Sequence, residues 1–285
     1  MTNEPLKNQI FTEITPNRRQ AASAFKATKL LLSQLVDNKK QIGSLFAGNW
    51  RSASRGTKLG IFWNYVLPLV PLGIYCLLAQ IRVLPEFNGT NPVAFIALGV
   101  TLWFFLAGII QVAIGTVDQK RKESAQTSFP LVCSIASGYA QLTFETVVRL
   151  TLTAIIFVLT DVEPYLEALL STFILISAIP LFFSLGLLLS ICNLIYKDVG
   201  RVITIVLQYG LFISGVIFPV TNIAILSELN AYNPFAIFID ATRLAVLVGE
   251  FQASPALLSF ALLGVILLFV GCKVFYVMEE RVVDN

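Results

Sequence analysis

Histidine is absent from the 285 residues, and charged residues make up only 13% of them. The first absence excludes Ser-His-Asp and Cys-His nucleophile systems, His-ligated zinc or haem, and any histidine-based pH switch. The second excludes an ordinary soluble domain, which carries about 25% charged residues. Cysteine is sparse as well. Cys76, Cys133, Cys192 and Cys272 lie in four separate apolar runs, with no C-x-x-C spacing. They read as thiols buried in a membrane, not as the disulfide framework of a small secreted domain. No G-x-x-x-x-G-K-[ST] occurs, and Gly56-Thr57-Lys58 lacks both the spacing and the preceding strand. The chain therefore has no ATP phosphate cradle of its own, and no metal set is expected.

What is present is apolar: 56% hydrophobic residues and a mean hydropathy of +0.78. The charge is divided along the chain. Residues 1–58 hold ten Lys/Arg against three Asp/Glu, whereas 59–285 hold ten against fourteen. A helix needs about 20 apolar residues to cross roughly 30 Å of hydrocarbon. Six segments meet or approach that length: Ile61–Ile81, Val93–Val117, Leu131–Thr160, Tyr165–Ile195, Val202–Val220 and Ala256–Met278. The third and fourth are long enough to tilt or to project past the bilayer. The first begins near residue 60, too late for a cleaved signal peptide.

Basic residues mark the cytoplasmic side of a membrane protein. With the N-terminus inside, seventeen of the twenty Lys/Arg fall on inner segments, in 1–58, Lys120–Lys122, Lys197 and Arg201, and Lys273 and Arg281. Both termini are therefore expected in the cytoplasm. Two further segments are expected not to span. Lys26–Phe46 alternates Leu30, Leu31, Leu35 and Leu45 with Lys26, Lys29, Lys39 and Lys40. This reads as an amphipathic helix in the headgroup region, or as a soluble helix packed on a partner. Asn233–Gly249 is too short to cross and is interrupted by Asp240 and Arg243, so it is expected to dip into the outer leaflet and return. The expected fold class is an all-α integral membrane protein with six transmembrane helices, an N-terminal amphipathic interface helix and an outer re-entrant segment. Residues 1–58 are expected to form a cytoplasmic N-terminal segment, and 59–285 the six-helix membrane domain. The basic N-terminal segment reads as a membrane-surface anchor and not as a nucleic-acid patch.

Four stretches carry a resemblance: RSASRGTKLGIFWNYVLPL at 51–69, SFPLVCSIASGYAQLTFETV at 128–147, NLIYKDVGRVITIVLQYGLFISGVIFPV at 193–220, and NPFAIFIDATRLAVL at 233–247. In this order and spacing the chain resembles the permease subunits of ABC-2 type exporters, in the branch that exports polysaccharides such as O-antigen, capsule and teichoic acid. The resemblance implies a homodimer of six-helix permeases in a bacterial plasma (inner) membrane, working with two copies of a separate ATP-binding cassette subunit. That partner would bind the ATP and magnesium; this chain binds no cofactor. The implied cargo is a lipid-linked glycan. The resemblance also implies that the second cytoplasmic loop, with Lys120, Arg121, Lys122 and Glu123, forms a helix that couples to the ATPase, with Lys197, Asp198 and Arg201 as a secondary contact. Topology alone would also explain these lysines.

Six residues are candidates to line a conduit. Glu145 and Arg149 stand four apart on one helical face, where ionisable groups usually face protein or water. They contact cargo hydroxyls or phosphate, or they merely neutralise each other. Trp103, Phe104, Tyr139 and Tyr209 offer aromatic faces for sugar rings, or simply pack. Asp240 and Arg243 mark the re-entrant segment. Gly99, Gly108, Gly115, Gly264 and Gly271 permit close helix packing. Alternative readings are an ABC-2 permease for a small drug-like or lipid cargo, and an integral membrane transferase acting on lipid-linked sugars. A secondary transporter is disfavoured, because the chain shows no matching halves.

Overall fold

The computed structural model describes residues 19–53, 58, 60–81, 91–122, 130–219 and 223–283. Every regular element among them is helical. This follows from the composition: in hydrocarbon only a helix or a closed barrel satisfies its own backbone. The elements are α1 (Ala24–Asp37), α2 (Lys39–Ala53), α3 (Trp63–Gln80), α4 (Pro92–Lys122), α5 (Leu131–Leu159), α6 (Ala168–Ile195), α7 (Asp198–Ile213), α8 (Ala224–Asn230), α9 (Pro234–Arg243) and α10 (Pro255–Val283). Helices α3, α4, α5, α6 and α10 are each long and apolar enough to cross a membrane. The protein is an all-α, multi-pass membrane protein.

Helix α4 is the axis of the bundle. Its apolar window is 72% buried, against 22–50% for the other four long helices. It packs on α3, α5, α6, α7 and α9, with Ile96, Val100, Leu106 and Ala113 fully enclosed. Helix α10 lies along the far side of α6. Gly264 allows this, because a Cβ there would fall 2.8 Å from the Leu181 backbone nitrogen.

The ends of the bundle are fixed by side chains that bond to backbone. Helix α5 starts after Pro130, which supplies no capping side chain. The buried carboxylate of Glu279, near the end of α10, takes that role: its Oε1 accepts from the amides of Leu131 (2.7 Å) and Val132 (3.4 Å), while Oε2 pairs with Arg19 Nη1 at 3.3 Å. The start of α5, the end of α10 and the residues preceding α1 therefore share one face of the molecule, here termed proximal.

The expected single amphipathic helix is two helices. The chain breaks at Asn38, whose side-chain amide donates to Gln34 O at 2.8 Å. Helix α1 then packs on α10 and α5, burying Ala27 and Leu31, while α2 packs on α5. The apolar stripe of α1 thus meets protein at its centre, and Phe25, Leu32 and Val36 remain exposed beside it.

The fifth expected span, Val202–Val220, also differs. Helix α7 begins earlier, at Asp198, and stops at Ile213 after 16 residues, about 24 Å of rise. Gly215, at φ +67°, turns the chain out of the helix, and residues 215–219 are not helical. Helices α8 and α9 then form a hairpin with a 93° bend. At its tip, Asn230 Nδ2 donates to Ile213 O (2.9 Å) and Asn233 Nδ2 to Ser214 Oγ (2.8 Å). After a π turn at Leu244–Val248, Val246 O accepts from Tyr165 N just before α6, at 3.2 Å. The hairpin tip reaches the level where α7 ends, and its return limb reaches the distal end of α6. A bent pair of this kind is a broken span or a re-entrant loop.

Because Glu279 ties three segments together, Glu279→Ala is expected to destabilise the full-length chain by about 1–3 kcal/mol. A clear drop in the apparent melting temperature of the detergent-solubilised protein checks this, and Glu279→Gln, which can still accept from an amide, is expected to lose less.

Candidate functional site: buried ion pairs and the proximal face

Arg243 is 3% exposed. It closes the gap left where α7 ends: Nη1 donates to Gly215 O at 3.0 Å, and Nη2 donates to Val216 O. Its guanidinium lies 3.7 Å from the centre of the Phe95 ring and pairs with Asp240 at 3.3 Å. A side chain at Gly99 would overlap the guanidinium, so α4 has to be bare there. Asp240, by contrast, is 54% exposed on its side chain. The pair therefore anchors the hairpin with the arginine and turns the acid outward.

Glu145 and Arg149 do form the pair their spacing suggests, Nη2 to Oε2 at 3.5 Å. Arg149 is 6% exposed; its Nε donates to Pro68 O of α3 at 3.1 Å, and its guanidinium stands 5.0 Å from the Phe104 ring centre. Gln141 Nε2 donates to Glu145 Oε1 at 3.3 Å. Asn64 Nδ2 donates to Trp50 O at 3.0 Å. Asn49, Asn64, Leu67, Pro68, Gln141, Glu145 and Arg149 line a recess of about 410 Å³ between α2, α3 and α5. Trp50, Tyr65 and Phe144 stand edge-on beside it, with ring centres 4.1–5.9 Å apart.

The candidate conduit residues are not all neighbours. Phe104, Glu145 and Arg149 come together. Trp103 is 3% exposed and packs on Phe235 at 4.5 Å, at the tip of the hairpin. Tyr139 donates its hydroxyl to Ile109 O at 3.1 Å and packs on Phe183. Tyr209 is 57% exposed on the outer face of α7.

On the proximal face, Lys120, Arg121 and Lys122 form the last turn of α4, while Glu123 lies outside the described residues. Arg201 Nη1 pairs with Asp198 Oδ1 at 3.2 Å in solvent, and Asn193 Oδ1 accepts from Gly200 N at 2.8 Å to fix the α6–α7 turn. Gln111, Asp118, Asn193, Lys197 and Arg201 lie around a cavity of about 480 Å³ that joins the ends of α4, α6 and α7. Of the two basic segments singled out by the sequence, the Lys197–Arg201 turn lines this cavity. Among the described residues, no three His, Cys, Asp or Glu side chains converge as a metal site.

Residues 40–247, from α2 to the π turn after α9, match the family described as ABC-2 type transporter. The chain belongs to that family. Within it, the chain is similar to the O-antigen export system permease protein RfbA of Myxococcus xanthus, at 19% identity over 258 residues, covering 90% of this chain and 98% of that protein. An ABC-2 protein is a transport subunit, and ABC-2 permeases work with ATP-binding cassette partners.

Several residues of these sites are not evident from the sequence. Glu279 was hidden because it caps a helix 148 positions away; the missing N-cap at Phe129-Pro130 was the available signal. Gln141 and Asn64 are ordinary polar residues until α2 folds over them.

The fit of Arg243 against α4 yields a coupling experiment. Gly99→Ala is expected to destabilise the ABC-2 chain by about 1–3 kcal/mol through overpacking, and Arg243→Met by a comparable amount. Thermal melts of the double variant should show a loss smaller than the sum of the two, because each removes the same contact. Strict additivity contradicts that contact.

Proposed function

We propose that this chain is the membrane permease subunit of an ATP-driven exporter that moves a lipid-linked polysaccharide outward across a bacterial plasma membrane. The observation that carries the reading is the family match over 40–247, together with an end-to-end alignment to an O-antigen export permease. In this reading two copies of the chain pair with two ATP-binding subunits, both termini are cytoplasmic, and the proximal face is the inner one. The side-by-side placement of Arg19, Glu279 and the start of α5 supports both termini on one side.

The bundle interior supports the dimer. Helix α4 fills the centre of one chain, so a polymer needs a passage between copies. Helix α7 offers Val202, Ile205, Val206 and Tyr209 outward, and α3 offers Leu67, Val70, Ile74 and Leu77. Two such faces make walls for a conduit in which aromatic and apolar surfaces let sugar units slide without a fixed grip.

Coupling runs through the last turn of α4 and the segment that follows it. Lys120, Arg121, Lys122 and Glu123 contact the ATPase, with Lys197, Asp198 and Arg201 beside them. Closure of the ATPase pair pushes on α4 and α5 directly, and rigid helices carry the displacement into the membrane.

Replacing Lys120–Glu123 by alanine in a chain coexpressed with its ATP-binding subunit tests this assignment. Loss of copurification, or a drop of tenfold or more in ATP-dependent export with the permease still folded, is the expected result. An intact and fully active complex contradicts the coupling role.

A further inference from the structure

The recess between α2, α3 and α5 has properties that helix packing alone does not explain. Arg149 Nη1 is buried and has no hydrogen-bond partner among the described residues, and Gln141 Oε1 is in the same condition. A buried donor or acceptor left unpaired costs about 1–3 kcal/mol, and the two side chains that carry these atoms line one cavity. The cavity volume falls within the range of small-molecule sites, about 300–1,000 Å³.

Its depth is set by the neighbours. Phe144 touches Tyr65 and Trp50, and Arg149 reaches Pro68. The middle of α5 therefore lies level with the first two turns of α3 and with α2. Helix α5 is 29 residues long, about 44 Å, so its first turns project beyond the start of α3. The recess thus opens where the chain enters the membrane on the proximal side, not at mid-bilayer.

The chemistry of the lining selects among ligands. Glu145 neutralises Arg149, so the recess has no net charge from this pair. A phosphate would meet the Glu145 carboxylate as well as the arginine. A neutral polyol avoids that repulsion. It accepts from Arg149 Nη1, donates to Gln141 Oε1, and can meet the amides of Asn49 and Asn64. Its C–H faces can pack against Leu67 and Pro68, which line the recess.

We propose that this recess is a binding site for the sugar unit next to the lipid anchor of the cargo. The inference rests on the lipid-linked glycan reading above and assigns a place to it. The sugar's hydroxyls complete the unpaired groups at the membrane boundary, while the lipid chain stays in the bilayer beside α2 and α3. Residues Gln141 and Arg149 select for a sugar, and the anchor's phosphate lies outside the recess.

The test uses the full-length chain in phosphatidylcholine nanodiscs, with native mass spectrometry as the readout and two probes. One is a polyprenyl phosphate carrying a single glucose; the other is the same polyprenyl phosphate without sugar. The glucose-bearing probe should bind at least tenfold more tightly. Gln141→Leu, which keeps the ion pair and approximates the side-chain size, should remove that preference and leave the bare phosphate unchanged. Gln141→Glu, which keeps an acceptor, should retain part of it. Equal binding of both probes to the unaltered chain overturns the sugar site while the exporter reading stands. A preference that survives Gln141→Leu likewise overturns the assignment to this recess. Binding of neither probe to chain of normal melting temperature overturns the site and the lipid-linked glycan cargo together.

Discussion

Hydrocarbon offers no hydrogen bonds to a backbone amide or carbonyl, and this chain depends on how that constraint is met where its helices stop. The largest instance is Arg243. Helix α7 ends inside the bundle, and the carbonyls of Gly215 and Val216 are taken by one guanidinium that is itself lodged against Gly99 and Phe95. The other breaks follow the same rule. Asn230 accompanies the end of α7, Asn193 the α6–α7 turn, and Glu279 the start of α5. Arg243, Asn230, Asn193 and Glu279 are each placed where the backbone is interrupted.

That placement gives the fold a rigid axis with different duties at its two ends. Helix α4 holds the hairpin through Gly99 near its distal end and runs 31 residues to the basic turn at Lys120–Lys122. In the proposed exporter, force applied at the proximal end meets a helix that is packed on five neighbours, so it moves the bundle and does not bend locally. The hairpin tip, with Phe235 against Trp103 and Phe182, ties the distal half to the same helix. The recess beside α2 meets this axis through Arg149, whose guanidinium stands 5.0 Å from the ring centre of Phe104 on α4.

The sequence made the membrane class, the helical content and most of the helix positions legible, because runs of about 20 apolar residues have few other solutions. The Glu145–Arg149 pair was legible from its i,i+4 spacing, and the lack of one straight span around 233–249 from Asp240 and Arg243. Other features depended on tertiary contacts. Nothing local in Lys26–Phe46 announced that Asn38 would break the helix and send its two halves to different partners. The early end of α7 needed Gly215 to adopt a left-handed turn, which is tolerable only because Arg243, 28 positions later, accepts the consequence. The partner of Arg149 on α3 was not legible either: its Nε donates to Pro68 O, in the second turn of that helix.

The central claim is that transport by this chain is driven through a partner ATPase and carries a lipid-linked glycan. Purified chain and ATP-binding subunit, reconstituted in proteoliposomes with a labelled lipid-linked glycan, test it most directly. The account predicts outward movement of the label that requires both ATP and the partner and is insensitive to collapse of ion gradients. Movement driven by an ion gradient without the ATPase would contradict it.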